Sequence, residues 1–569
     1  PAQLLQRLDD RFALLTNGPR VSVRRQRSLQ SMVDWSYDLC TLDEQRAWSL
    51  LSVFEGGFRL EAAEHVCEVP PPSVDGPADA PPVLDLVATL VDKSVLLRED
   101  QAGQVRYRML ETIRAYGLER LAESGAGPGT RARHRDWFVA YAERAGGQWF
   151  GPDQAGRVAR LAAELANLRA AMRSALDEKQ PRQALRVASS VWFYWLGWGS
   201  LEEGRRWLGG ALAADAEQSR PQPPHLGRSH LELRVRSWRL LATLGAIHGD
   251  LEGAHQALLA ARGEAAAGFG PRLRADGLRA DALAAAIEHR HRRSIDLYLA
   301  LLADPTVTAD DPEATVLDLE VLVSVLSLLR QRDHAIAAAR RALGICADHE
   351  EDWHRGFLLS QLGAELWLRG SSDAAREAGR ESLSVAVALN HTFGVLSALE
   401  VLAWVAASTA DLDRAAMMFG ALAPLWRSIG APPTGSGTVP VYHEMCRARL
   451  VEEMGTDAYE QAVRRGAVLG LDEAVGLGLG KPCRTTGRPA RARRGHSGLT
   501  RRETEIADLV ARGMTNGQIA ATLVISPRTA EGHVQRILGK LGLRSRAGIA
   551  AWVAERRGRH PDPPAHPAD

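Results

Sequence analysis

The amino-acid sequence predicts a mainly α-helical protein, on three observations. Most of the chain is rich in Ala, Leu and Arg, with apolar residues at helical spacing. Strand signals are confined to Ser94–Leu97 and Val105–Met109, which flank Asp100-Gln101-Ala102-Gly103. Through the middle, turn-like breaks recur about every 40 residues, a period typical of stacked helix pairs. The chain has 569 residues, enough for about three or four domains. With 45% hydrophobic and 24% charged residues, its composition is that of a folded globular protein and excludes disorder as the main state.

Taken in order, residues 1–145 form the first region. The two short strands around a Gly-containing turn read as the wing of a winged helix. A Pro-rich interruption, Val69–Pro82, precedes them. Residues 150–475 form the second region. Its breaks fall at Gly249-Asp250, His289–Arg292, Gln331–Asp333, Gly370–Asp373 and Ala410-Asp411. About five residues after each break an apolar residue returns: Ala254, Ile295, Ile336, Ala375 and Ala415. A two-helix unit of this size cannot bury its apolar face alone, so neighbours must stack into an α-solenoid. The pattern resembles degenerate tetratricopeptide repeats without their regular Trp and Tyr landmarks; a plain all-α bundle is the alternative. Further breaks lie at Ser219–Pro224 and Gly430–Pro440.

Residues 476–497 read as a linker, Gly-rich and then Arg-rich; residues 498–557 form a third module, and residues 558–569 a Pro-rich, disordered tail. The net charge of +1 hides an asymmetry: from Lys481 to Asp569 there are seventeen basic and seven acidic side chains. That basic end is where a nucleic-acid module is expected. The five scattered cysteines, Cys40, Cys67, Cys346, Cys446 and Cys483, have neither zinc nor redox spacing. They read as reduced thiols of a cytoplasmic protein. No apolar run approaches the ~20 residues of a membrane helix, so no membrane partner is expected.

In the third module, local chemistry delimits four helices. Thr500 with Glu503 and Thr515 with Gln518 form capping boxes that open the first two. Ser526-Pro527 supplies an N-cap with proline at the first helical position for the third, and Ser545 can cap the fourth. The expected apolar faces are Ile506, Leu509 and Val510, then Ile519, Ala520 and Leu523. The third helix turns Ala530, Val534, Ile537, Leu538 and Leu541 inward, and the fourth buries Ile549, Trp552 and Val553. Helices two and three, joined by Val524-Ile525, form a helix-turn-helix. Arg528, Glu531, Gly532, Gln535, Arg536 and Lys540 then point largely outward, as a major-groove reader requires. Gln535 can pair with adenine, and Glu531 can accept from cytosine N4 or stand as a solvated acid. Gly532 permits close backbone approach, and Arg528, Arg536 and Lys540 suit phosphates. The linker arginines Arg488, Arg491, Arg493 and Arg494 are either a solvated tether or a sequence-blind track along the backbone.

The runs Leu499-Thr500-Arg501-Arg502-Glu503, Thr515-Asn516-Gly517-Gln518-Ile519-Ala520, Ile525-Ser526-Pro527-Arg528-Thr529 and His533-Val534 resemble the LuxR-type DNA-binding domain. Ile537, Lys540-Leu541 and Ser545-Arg546 continue the match. Gly517 stands where the family usually has Lys, and Ala530 where it usually has Val. The resemblance implies double-stranded DNA as partner, contacts from Thr529, Glu531, Gly532, Gln535, Arg536 and Lys540, and a homodimer formed through Arg544–Arg557.

Stretches such as Asp34-Trp35-Ser36-Tyr37-Asp38-Leu39, Leu51-Ser52-Val53-Phe54-Glu55-Gly56-Gly57-Phe58 and Tyr107–Arg114 resemble the segment after the nucleotide-binding core in large STAND-class regulators. That resemblance implies a winged helix that normally packs on an ATPase. No Gly-x-x-x-x-Gly-Lys-Ser/Thr occurs in these residues; Gly476–Lys481 lacks the first glycine and runs into Pro482. Where relatives carry Met-His-Asp, the sequence reads Met109-Leu110-Glu111. No cofactor is therefore expected of the chain, and ATP with Mg²⁺ enters only if a P-loop precedes Pro1. No catalytic motif appears, so an enzyme is not expected. The aromatics of Val191–Trp207, and Trp426, read first as solenoid core. Trp192, Tyr194, Trp195 and Trp198 are dense enough to be a secondary candidate for an inducer pocket, and the repeats are expected to take a protein or small-molecule effector. The rival reading is a protein-interaction scaffold with a weak DNA module, supported by Gly517.

Overall fold

The computed structural model describes residues 31–67, 81–101, 104–198, 201–218, 227–268, 270–309, 311–409, 411–428, 439–481 and 501–511, with isolated positions at 514, 519, 534, 537, 549, 552 and 553. The chain forms two compact units, Pro1–Cys483 and Arg484–Asp569.

The first unit opens with helices at residues 31–38 and Leu42–Leu51. Thr41 caps the second of these: its hydroxyl accepts from Glu44 N–H, and the Glu44 carboxylate accepts from Thr41 N–H. Strand β1 (Gly57–Phe58) and helices Leu60–Cys67 and Val83–Asp92 follow, then β2 (Leu96–Gln101) and β3 (Gln104–Met109). The antiparallel sheet has the order β1-β3-β2, and β2 pairs with β3 from Leu96↔Met109 to Gln101↔Gln104. The hairpin predicted from sequence is present, with its first strand starting later and running longer than expected. The turn at Ala102-Gly103 lies outside the described residues. Helices Glu111–Glu123 and Gly127–Gly147 complete this part.

A buried polar knot fixes the sheet to the next helix, Gln154–Asp177. Arg106 on β3 is 5% exposed, pairs with Glu164, and donates to Gly57 O and Ala163 O. Asn167 donates to Gly57 O at 2.9 Å and accepts from Glu55 N–H at 2.8 Å. One hydrophobic core runs from Trp48 and Phe58 through Leu161 and Trp195 to Leu244. The sheet region and the first helices of the array are thus packed as one body.

Five helix pairs follow: Arg228–His248 with Leu251–Ala266, Pro271–Ile287 with His291–Ala303, Pro312–Leu328 with Arg332–Asp348, Trp353–Leu368 with Ser372–Ala388, and Thr392–Ser408 with Leu412–Ser428. The breaks read from the sequence fall on the turns inside these pairs, the fifth at Asp411, with Ala410 outside the described residues. The five recurring apolar residues, Ala254, Ile295, Ile336, Ala375 and Ala415, are all buried. The first four turns pass through the left-handed region at Gly249 (φ 93°), His289 (φ 59°), Arg330 (φ 57°) and Gly370 (φ 86°). In each, an N–H reaches back to a carbonyl five residues earlier, as in Gln331 N to Leu326 O at 3.0 Å, which satisfies the helix end.

Helices Val439–Met454, Thr456–Gly466 and Leu471–Gly478 close the unit. Two glycines make one crossing possible. A Cβ on Gly420 would lie 2.2 Å from Val463 O, and one on Gly466 1.9 Å from Met417 O. In the second unit, helix Arg501–Ala511 and the described residues beyond it share a separate core. Among the described residues, no helix is long and apolar enough to cross a membrane, and no group of His, Cys, Asp and Glu could hold a metal ion. Cys40, Cys67, Cys346 and Cys446 are free thiols; Cys483 lies outside the described residues.

Candidate nucleic-acid interface and the buried seam of the array

The core of the second unit consists of Ile506, Ala507, Leu509, Val510, Ile519, Val534, Ile537, Ile549 and Val553, with Trp552 and Met514 packed against it. These positions come from all four helices expected from the sequence. The third contributes Val534 and Ile537, three apart and so on one helical face. The DNA contacts expected at Arg528, Thr529, Glu531, Gly532, Gln535, Arg536 and Lys540 lie outside the described residues, as do Gly517 and the linker arginines.

The first unit holds a second concentration of functional groups that sequence patterns did not locate. Residues 149–198, at the start of the array, meet residues 349–391, some 200 positions later. Gln154 is the latch. Its Oε1 accepts from the backbone N–H groups of Asp352 (3.0 Å) and Trp353 (2.8 Å). Its Nε2 donates to Glu351 Oε1 at 2.7 Å and Trp149 O at 3.1 Å. Glu351 in turn caps helix Trp353–Leu368, accepting from the N–H of Trp353 and His354.

Around the latch the seam is aromatic. Trp149 stacks on Phe193 with ring centres 3.9 Å apart and stands edge-on to Trp198 and Trp353. Trp353 lies between two buried histidines, 4.7 Å from His354 and 5.5 Å from His391. These histidines are driven in opposite directions. Burial opposes charge on His354, but the carboxylates of Glu320 and Glu351 outweigh it, and Glu320 also takes a 2.9 Å hydrogen bond from Nδ1. Its pKa is raised to about 9, so the ring is a cation at neutral pH. His391 has burial alone acting on it, its pKa falls to about 3, and it stays neutral.

Of the four aromatics singled out in the sequence, Trp195 is fully buried, and its Nε1–H donates to Ala188 O at 2.8 Å: it is core. Trp192 packs edge-on to Trp353, while Tyr194 stacks on Trp198. Trp426 is also core, donating to Glu400 Oε1 at 3.1 Å. Within the seam the buried polar atoms without a hydrogen-bond partner are instead Trp149 Nε1, Trp353 Nε1, His354 Nε2 and His391 Nε2, four of the seventeen such side-chain atoms among the described residues. A polar atom buried unpaired costs on the order of 1–3 kcal/mol, so four in one cluster are an anomaly that calls for a reason.

Comparison with known proteins bears on both units. The family of bacterial regulatory proteins of the luxR type (GerE) matches residues 497–553. A Mycobacterium tuberculosis protein named for an HTH-type transcriptional regulator, Rv0890c, is 27% identical over 707 aligned residues, covering 98% of this chain and 78% of that protein. The nitrate/nitrite response regulator NarL of Escherichia coli is 42% identical over 59 residues, 10% of this chain and 27% of its own length. Among solved structures, a STAND protein with a tetratricopeptide-repeat sensor from Pyrococcus horikoshii overlays with a TM-score of 0.40 at 14% identity, covering 77% of this chain and 65% of that one. The apo form of RapI overlays with a TM-score of 0.36 at 10% identity, covering 76% of this chain and 99% of that one. The C-terminal unit thus holds, at residues 497–553, a helix-turn-helix domain of the LuxR type.

Proposed function

We propose that this chain is a cytoplasmic, non-enzymatic transcriptional regulator that binds double-stranded DNA sequence-specifically as a homodimer, with an effector-responsive helical body. One observation carries the reading: residues 497–553 match the LuxR family, and the same stretch builds a small core from the apolar positions of a four-helix helix-turn-helix module. Counted at about 100° per residue from Val534 and Ile537, Gly532, Gln535 and Arg536 fall on the opposite face of the third helix. Gln535 is then the base reader, and Arg528, Arg536 and Lys540 the phosphate contacts, with Thr529 and Glu531 at the margin. The basic excess of this end supplies the sequence-blind part of the affinity.

The test is selection from a random duplex pool with the full chain at about 150 mM salt. A two-fold-symmetric motif is expected, its half-site spacing reporting the dimer. Gln535→Ala is expected to cost about 1–3 kcal/mol on the selected site and to relax one base position. Arg536→Ala should weaken all sequences alike and flatten the salt slope by about one. Recovery of no motif would favour the interaction scaffold, and equal weakening of random and selected DNA by Gln535→Ala would remove its role as base reader.

A further inference from the structure

We propose that the outward face of the helix at residues 31–38 is a docking surface, and that its occupant is the amphipathic segment Leu4–Leu15 of the same chain. The proposal does not depend on the regulatory reading above.

The inward face of this helix is fixed. Tyr37 stands edge-on to Trp48 and Tyr116, with ring centres 5.3 and 5.4 Å away, and Asp34 accepts from the Tyr116 hydroxyl at 2.8 Å. The helix therefore cannot roll its other side into the core. That side carries Met32, Trp35 and Leu39, three and four residues apart and so on one stripe. They are 64%, 67% and 56% exposed, and Leu42, at the start of the next helix, is 82% exposed. A single exposed leucine is ordinary, but a stripe of three large apolar side chains marks a surface that takes a partner. Asp38 and Asp43, next in sequence to Leu39 and Leu42, are exposed and carry no ion pair among the described residues.

The residues that precede this helix lie outside the described ones, and their sequence supplies a matching stripe. Leu5, Leu8, Phe12 and Leu15 recur at spacings of three and four. At about 100° per residue they share an arc of about 80°, with Arg11 on its flank. Two stripes with this spacing pack side chain into groove. The connecting residues 16–30 hold Arg20, Arg24, Arg25 and Arg27 and no acid, opposite in sign to Asp38 and Asp43. A connector of this length spans on the order of 50 Å, against about 10 Å for the stripe from Met32 to Leu39, so the segment can fold back over it. The tether also gives the segment a local concentration that a free partner lacks.

The experiment is hydrogen exchange on the full chain, read by mass spectrometry. Residues 4–15 are expected to exchange at least tenfold more slowly than an unstructured chain. Trp35→Glu and Phe12→Glu should each return them to the unstructured rate while leaving the protection of Leu42–Leu51 unchanged. A second measurement adds a labelled peptide of residues 1–18 to the Phe12→Glu chain, whose own segment is disabled and whose face is intact. Saturable binding by fluorescence anisotropy is expected, at least tenfold weaker when Trp35→Glu is added. The proposal is overturned if residues 4–15 exchange at the unstructured rate in the wild type, or if their protection ignores Trp35→Glu. It is also overturned if the peptide binds both variants equally, or if Trp35→Glu lowers the sedimenting mass from dimer to monomer without changing exchange at residues 4–15, which would make a second copy the occupant.

Discussion

The regular helix pairs from Arg228 to Ser428 and the seam at Gln154 solve the same packing problem with different chemistry. In the pairs, small and aliphatic residues such as Ala254, Ile336 and Ala375 fill the interior, and each turn is closed by hydrogen bonds between near neighbours. At the seam, a Gln, a Glu, two histidines and several indoles are buried together, and the key bonds join residues 197 to 199 positions apart. Repeats stabilised by nearest neighbours tolerate local damage. A polar contact between distant segments is all-or-none, because each partner lost leaves another buried and unpaired.

The largest effect is expected where that contrast is sharpest. Gln154→Ala strips partners from the N–H groups of Asp352 and Trp353, from Glu351 and from Trp149 O at once. A loss on the order of 3–5 kcal/mol is expected in urea unfolding, drawn from several buried groups at about 1–3 kcal/mol each. Hydrogen exchange should show loosening at both ends of the contact, near residues 149–154 and 349–354. Ile336→Ala, a cut inside a repeat, is expected to cost about 2–4 kcal/mol, with exchange rising in its own and adjacent pairs and unchanged at residues 149–154. If Ile336→Ala loosened residues 149–154 as well, the two regions would be one cooperative system and the comparison would fail.

The same contrast explains what the sequence made legible. Helix pairs announce themselves through local periodicity, and the breaks at Gly249-Asp250, Gln331–Asp333 and Gly370–Asp373 needed no knowledge of the fold. The four-helix core of the C-terminal unit was legible for the same reason, from capping residues and the spacing of Val534 and Ile537. The seam was not. Nothing local distinguishes Gln154 from other helical glutamines, and His354 and His391 carry no motif. Their environment exists only once the array brings residue 154 to residue 352. Trp192, Tyr194, Trp195 and Trp198 stand out in the sequence by density alone, but Trp195 is core, its N–H satisfied by Ala188 O. The informative indoles, Trp149 and Trp353, stood outside that cluster in the sequence. Spacing also gave no hint that Arg106, on an exposed-looking strand, is buried against Glu164 and fastens the sheet to the array.

A pH profile sharpens the comparison next. His354, raised to about 9, contributes stability that is fully present below its ordinary value of 6.5 and is lost as pH rises through about 9. His391, depressed to about 3, contributes stability present above 6.5 and lost as pH falls towards 3. Melting temperature should therefore decline on both sides of neutrality, by amounts worth a few kcal/mol at the extremes. His354→Gln is expected to flatten the alkaline limb and His391→Leu the acid limb, each leaving the other in place. If either substitution flattened both limbs, the histidines would not be titrating as separate groups on the two sides of Trp353.

The smallest effect belongs to the repeats and has the opposite sign. Arg330 (φ 57°) sits in the turn position that Gly249 and Gly370 occupy in other pairs, in the left-handed region that costs a residue with a Cβ about 1–2 kcal/mol. Its backbone bond to Ser327 O, and that of the next residue to Leu326 O, do not involve its side chain. Arg330→Gly relieves the strain but enlarges the conformational freedom of the unfolded chain, so a net gain of about 0.5 kcal/mol is expected. The gain should appear as slower exchange within the pair Pro312–Leu328 and Arg332–Asp348 and nowhere near Gln154. A loss of stability instead would mean that Arg330 contributes through its side chain, and that this turn is not interchangeable with those at Gly249 and Gly370.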